Sequence, residues 1–473
     1  MALRKTEVGD YRRIEEIRTE LFEERYSICL ERPDLLNRYW RSGSERGKHP
    51  YLRRAEALAY IYRNRQPRIY RNELIVGNIS SKRIAANYYP EGGSIHILED
   101  LLCLSSRPVL PLYLKQSEKI KLVALALRNF PRSVATRALC KPGRLGYFLD
   151  FFRAKRYYIT EEAGISHLVP GHEGVIKDGL RRSREMAISK LEAGNLNSEQ
   201  EAFYKGVCIV IDGIRQMAAN LADEAERQAA EMQGNPERRL ELLEIAESCR
   251  WVPYEPARSF REGLQSAWLI HLALNLEDFE QGISFGRLDQ FLYPLYLKDL
   301  QSGTLTEESA RELLACLCLK CGETIPLYSR RINRFFGGNA VGQGITIGGV
   351  DFSGNDVTND LSRLVLEAYS LVMTREPGLH ARIHDRSPEW FLDSCAELIQ
   401  AGSGRPALFG DEAITKALEN TGFTREHARD YAVIGCVEMG SQGRTYNSSD
   451  AALFNIPLCL ELALNRGRRF KGG

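Results

Sequence analysis

The sequence has no long apolar run, no imbalance of charge and no internal repeat, and each absence removes a class of function. No stretch of about 18 or more consecutive apolar residues occurs, so no segment is expected to span a membrane. The N-terminal "MALRKTEVGDYRRIEEI" lacks the apolar core of a secretory signal, and a cytoplasmic protein is expected. Lysine and arginine total 64 against 62 aspartates and glutamates. No basic stripe interleaved with aromatics stands out, which argues against nucleic acid as a partner. The 11 cysteines, an odd number spread from Cys29 to Cys459, suit reduced thiols better than a disulfide framework.

What is present changes character along the chain. The first two thirds read as helices. "DYRRIEEIRTELFEERYSICL" carries apolar residues at helical spacing. Residues 197–232 form a long amphipathic stretch opened by Ser198-x-x-Glu201, a capping-box pattern. "SFREGLQSAWLIHLALNLEDF" reads as a buried helix. From about residue 340, short apolar runs alternate with helical stretches. "GITIGGV" (344–350), "LHARIH" (379–384), "PALF" (406–409) and "YAVIG" (431–435) are expected strands. The helix "SPEWFLDSCAELIQ" is expected to start with Ser387 as N-cap and Pro388 at its first position. "DAALFNIPLCLELALNRG" reads as the last helix. This alternation predicts an α/β fold with parallel strands joined by helical crossovers, whose active site lies beyond the carboxyl ends of the strands. Cys436 and Glu438 fall there, directly after the last strand.

A thiol two residues from a carboxylate is a poor polar nucleophile, because the negative charge raises the thiol pKa. In an extended segment the two side chains would point the same way. The pair makes better sense for one-electron chemistry. A thiyl radical exchanges hydrogen with an activated carbon at modest cost, and the carboxylate takes a proton from the far more acidic substrate radical.

Several other patterns carry a structural reading. Cys316-x-Cys318-x-x-Cys321 lies inside a helix with no fourth ligand nearby, which favours packing over metal. "GISFG" (282–286) matches a hydrolase nucleophile elbow at Ser284, but an acidic helical segment precedes it instead of a strand. "GQGITIGG" (342–349) misses the third glycine of a dinucleotide fingerprint. His380 and His384 are read as core or solvated residues.

With these residues in view, the sequence resembles the glycyl radical enzymes of the pyruvate formate-lyase-like superfamily, nearest to the glycerol and diol dehydratase branch. The resemblance rests on Gly435-Cys436-Val437-Glu438 and on "ELIVGN" (73–78), "GISFGRLDQFLYP" (282–294), "RIHDRSPEWFL" (382–392), "GRPALFGDEAI" (404–414) and "SSDAALFN" (448–455), in the family's order. It implies a ten-stranded α/β barrel of two parallel half-sheets wrapped in helices. Residues 1–335 would form a mainly helical shell, and residues 336–473 the strand–helix part with the cysteine loop. Cys436 would carry the thiyl radical and Glu438 would be the general base. His167, Asp450, Gln281 and Gly282 would contact the substrate. Gln281-Gly282 replaces the His-Ser of the glycerol enzymes, and the single cysteine departs from pyruvate formate-lyase proper. No Arg-Val-x-Gly-Tyr-like motif follows Cys436, so the reading is of an N-terminal portion or split subunit without the glycyl radical domain. The resemblance further implies radical dehydration or elimination on a small polar molecule, with C–C, C–N or C–S lyase, decarboxylase or a non-catalytic subunit as alternatives. It implies no bound cofactor, a glycyl radical installed by a radical S-adenosylmethionine activase, and a homodimer.

Overall fold

The structure is a computed structural model. It describes residues 11–91, 94–133, 136, 143–144, 146, 157–159, 167–277, 282–330, 333, 341–445 and 452–470.

The first two thirds build a helical shell. Helix α1 (Pro50–Asn64) crosses the long helix α2 (Ser198–Glu231) where both carry small residues. A Cβ on Gly213 would lie 2.8 Å from the Ala59 Cα, so the two backbones meet almost without side chains between them. The cap of α2 is Asn197, not Ser198. Its side chain accepts from the Gln200 N–H, and Gln200 reaches back to Asn197 N–H at 3.1 Å. Asn lies one residue earlier and makes the same reciprocal pair that the Ser-x-x-Glu pattern suggested. Helix α3 (Phe260–Glu277) is buried on nearly every side, its polar Gln265, His271 and Asn275 included. Helix α4 (Glu307–Gly322), capped by Thr306, buries Cys316, Cys318 and Cys321 in the main core. They pack as small apolar groups. Among the described residues no helix is long and apolar enough to cross a membrane.

The sheet begins earlier than the sequence texture suggests. Strands β1 (Gly344–Gly348), β2 (Gly378–Ile383) and β3 (Ala407–Gly410) are parallel in that order. Two more extended segments extend the array on the β1 side. Gly286 bridges Ile345 in parallel, and Leu168 bridges Ile283 in parallel. Five adjacent extended segments thus run in one direction, the arrangement of a parallel half-barrel. Helix α5 (Asp360–Val372), capped by Asn359, packs against α4 and makes the crossover from β1 to β2.

Strand β4 (Tyr431–Ile434) departs from expectation. It does not continue the parallel sheet but folds into an antiparallel hairpin with β5 (Glu438–Ser441), Ile434 opposite Glu438. The turn at Gly435–Val437 is too short for a helical crossover, and an antiparallel partner is the available solution. The hairpin lies against the sheet. Val433 N–H donates to Thr346 Oγ1 at 3.0 Å, and Thr346 shares its register with His380 on β2. Alternation along β4 sends Ala432 and Ile434 against Val169, and Tyr431 and Val433 against Phe409.

Two helix starts also differ. Pro388 is the N-cap of the helix Glu389–Leu398, and Ser387 Oγ instead accepts from His384 N–H at 3.0 Å. Residues Ala452–Phe454 pair as a strand with Tyr157–Ile159, and the final helix starts only at Ile456, capped by Asn455.

Candidate functional site

The site is built at the tip of the β4–β5 hairpin. Its base is anchored first. Arg382 on β2 is fully buried and holds Asp411 through Nε and Nη2, each at 2.8 Å. It also donates to the carbonyls of Tyr431 and Arg429 and stacks over the Tyr431 ring. Tyr431 in turn donates to Asp411 at 2.7 Å. One guanidinium thus fixes where the hairpin leaves the sheet, and its fork geometry suits a bidentate carboxylate. Arg287 and Asp289, from the "GRLDQ" segment, serve the same frame. Asp289 accepts from Gly348 N–H at 2.8 Å and from Ser362 Oγ at 2.5 Å, tying the end of β1 to α5.

At the tip, Cys436 and Glu438 are brought together by the turn, not by alternation along a strand. Residues 435–437 form the turn, and Glu438 is the first residue of β5. Its carboxylate folds back so that Oε2 accepts the N–H groups of Cys436 at 3.2 Å and Val437 at 3.1 Å. Oε1 faces His167, whose Nε2 is 3.8 Å away. His167 is buried beside Leu168, the residue that bridges Ile283. The backbone of the first extended segment therefore aims it at the hairpin.

Glycines make this approach possible. Gly282 (φ +76°) and Gly435 (φ +56°) both occupy the left-handed region that side-chain-bearing residues avoid. A Cβ on Gly282 would lie 2.6 Å from His167 Cδ2. One on Gly435 would lie 3.0 Å from Glu438 Oε2 and 3.0 Å from His167 Cδ2. Gly342 packs under both. Its own Cβ would come within 3.1 Å of the Gly435 Cα.

The structure thus brings Cys436, Glu438, His167 and Gly282 together. Gln281 and Asp450 lie outside the described residues. Among the described residues Cys436 is exposed, as is Val437. Ser284 is no exposed nucleophile. It is fully buried, and its Oγ accepts from Gly344 N–H at 3.0 Å and Gly435 N–H at 3.2 Å. His384 lies 3.0 Å from Asp356 Oδ1, while His380 faces the hairpin side of the sheet with its imidazole pushed by burial to a pKa of about 3. Sequence reasoning did not foresee the parts played by Ser284, Arg382 and Glu376. Glu376 accepts three consecutive amides, from Val341 at 2.7 Å, Gly342 at 2.9 Å and Gln343 at 3.0 Å. The "GISFG" and "RIH" blocks were visible, but nothing local says which backbone groups their side chains reach.

A parallel α/β half-barrel with a cysteine hairpin laid against it defines the class, and comparison with known proteins agrees. Residues 5–473 match the protein family described as pyruvate formate lyase-like. The chain belongs to that family, and its fold is that of the glycyl radical enzyme α/β barrels. It is 39% identical over 312 residues to an isethionate sulfite-lyase of Oleidesulfovibrio alaskensis, covering 64% of this chain and 38% of that protein. It is 28% identical over 482 residues to the (2S)-3-sulfopropanediol dehydratase of Klebsiella oxytoca, covering 98% of this chain and 57% of the relative. Among solved structures, the glycerol-bound B12-independent glycerol dehydratase of Clostridium butyricum superposes with a TM-score of 0.92 at 28% identity, covering 99% of this chain and 59% of that one. The chain spans about half the length, or less, of the curated relatives it matches.

Proposed function

We propose that this chain carries the thiyl-radical half of a glycyl radical lyase acting on a small polar substrate with a hydroxyl next to a leaving group. The observation that carries this reading is the convergence of Cys436, Glu438 and His167 on one hairpin tip, with 3.8 Å between His167 Nε2 and Glu438 Oε1.

A glycyl radical, installed by a radical S-adenosylmethionine activase, would supply the one-electron oxidation of Cys436 by removing its thiol hydrogen. The Cys436 sulfur then takes a hydrogen atom from the hydroxyl-bearing carbon of the substrate; an S–H bond forms and a C–H bond breaks. Glu438 accepts the hydroxyl proton, which pushes electron density onto the radical carbon and expels the neighbouring group with its bonding pair. His167, with Asp450, assists that departure. Cys436 returns its hydrogen atom to the product radical, leaving an aldehyde or ketone and the sulfur radical ready for another turn. The role of the barrel is to hold reacting atoms in line. Family resemblance further suggests a homodimer.

The leaving group is the second question. One relative is named for sulfite release and another for dehydration, and the steps proposed above serve either up to the bond that breaks. At Gly282 the His167 ring occupies the space a side chain would need, so residue 282 offers the substrate only backbone. That favours a leaving group other than the hydroxyl of glycerol, and sulfite is the first to test. Incubating the complete, activated enzyme with isethionate, 2,3-dihydroxypropane-1-sulfonate, glycerol and propane-1,2-diol, and assaying carbonyl product and sulfite, decides between them. No carbonyl product from any hydroxylated substrate would contradict the elimination reading.

A further inference from the structure

We propose that Ser284 is a positioning residue for Cys436, a role that rests on the reading of Cys436 given above. A hydroxyl has one proton to give and two lone pairs to offer. Both lone pairs of Ser284 Oγ are taken by backbone N–H groups from different parts of the fold. Gly344, at 3.0 Å, is the first residue of the sheet strand β1, and Gly435, at 3.2 Å, immediately precedes Cys436. The hydroxyl proton is directed to the carbonyls of Gly342 and Gly282, at 3.4 and 3.5 Å. A single buried atom therefore joins the rigid sheet to the turn that carries the thiol.

The surroundings leave that turn little room to settle elsewhere. Gly342 packs directly against Gly435, and the 341–343 segment is itself held by the buried carboxylate of Glu376. Ser284 is placed by its own backbone, which donates to Leu168 O at 3.1 Å, next to His167. The hydroxyl thus sets the height of Cys436 relative to both His167 and the sheet. The second hydroxyl that accepts from the hairpin, Thr346 Oγ1, reaches Val433, three residues from the thiol and two further than Gly435. It supports the arm of the hairpin and not its tip.

This contrast supplies the test. Ser284→Ala and Thr346→Val each remove one buried hydroxyl that accepts a hairpin amide, so a merely structural role predicts similar behaviour. The first measurement uses this chain directly, by amide hydrogen exchange. Positioning predicts that S284A speeds exchange at Gly435 by about tenfold or more while Val433 stays protected, with the reverse pattern in T346V. Unchanged exchange at Gly435 in S284A would overturn the proposal. The second uses the complete, activated enzyme with the substrate that the carbonyl assay identifies. S284A is expected to lower kcat by about 100-fold with little change in KM, and T346V to leave kcat within about threefold. Equal losses in the two variants, or a wild-type kcat in S284A, would also overturn it. Cys436→Ser, run alongside, separates the two ideas: turnover in that variant defeats the thiyl reading, whereas inactive Cys436→Ser with fully active S284A defeats only the positioning role.

Discussion

The imidazole of His167 lies so close to Gly282 that a Cβ on the glycine would sit 2.6 Å from Cδ2. Gly282 also has φ +76°, which costs an L-residue about 1–2 kcal/mol. Gly282→Ala is therefore expected to destabilise the fold by at least about 1–2 kcal/mol and to displace His167 from Glu438. Urea or thermal denaturation measures the first effect. Unchanged stability would show that the ring and loop adjust freely.

One Glu438 oxygen is committed to the backbone, and in the proposed mechanism its carboxylate is the base. Oε2 accepts the Cys436 and Val437 amides, which a glutamine carbonyl could also do. Glu438→Gln should then fold like the parent yet lose about 10²–10⁴-fold in turnover of the complete, activated enzyme, as expected for loss of a general base. Melting curves and kcat together check this, and near-parental kcat would remove Glu438 from the mechanism.

The base of the hairpin depends on one buried ion pair. Removing Arg382 would strand Asp411 and free the Tyr431 and Arg429 carbonyls in the interior. Arg382→Ala is expected to cost about 3–5 kcal/mol. Arg382→Lys should recover only part of it, because an ammonium cannot reproduce the bidentate fork. Denaturation of the three proteins tests the order; equal stability of Lys and Arg would contradict the fork argument.

Acid should remove stability contributed by three buried histidines. His172 and His380 are held near a pKa of about 3, and His271 near about 4, chiefly by burial. All three values lie below the ordinary 6.5, so the unfolded chain takes up protons first as the pH falls. Stability from these neutral imidazoles is complete above about pH 6.5. It declines below that by about 1.4 kcal/mol per unit for each histidine until the folded value is reached. His172 stacks on Phe285 with rings 16° from parallel, so His172→Phe should keep the packing and flatten this slope by about a third between pH 6.5 and 4.5. An unaltered slope would mean that His172 is not part of it.

The legible parts of the molecule were those with local signatures. Apolar runs bounded by glycine announced β1, β2 and β3, and the Gly-Cys-Val-Glu block marked the hairpin tip. The illegible parts depend on distant partners. Residues 167–169, followed by Pro170-Gly171, and 283–286, between Gly282 and Arg287, are too short to read as strands, and each is extended beside a parallel neighbour. "YAVIG" looked like a fourth parallel strand because a buried hairpin arm and a buried parallel strand share the same apolar composition. Strand alternation was expected to set Cys436 beside Glu438, whereas residues 435–437 form a turn and the Glu438 carboxylate meets the Cys436 backbone N–H. His167 was named through resemblance, but its approach to Glu438 depends on Gly282 and Gly435, whose backbone angles no local pattern reveals.

The central claim is that sulfur at residue 436 transfers hydrogen atoms. Its most direct test is Cys436→Ser in the complete, activated enzyme, with electron paramagnetic resonance and product formation followed on the same sample. The account predicts a glycyl radical signal of parental size and no detectable product. Product formed at the parental rate would contradict it.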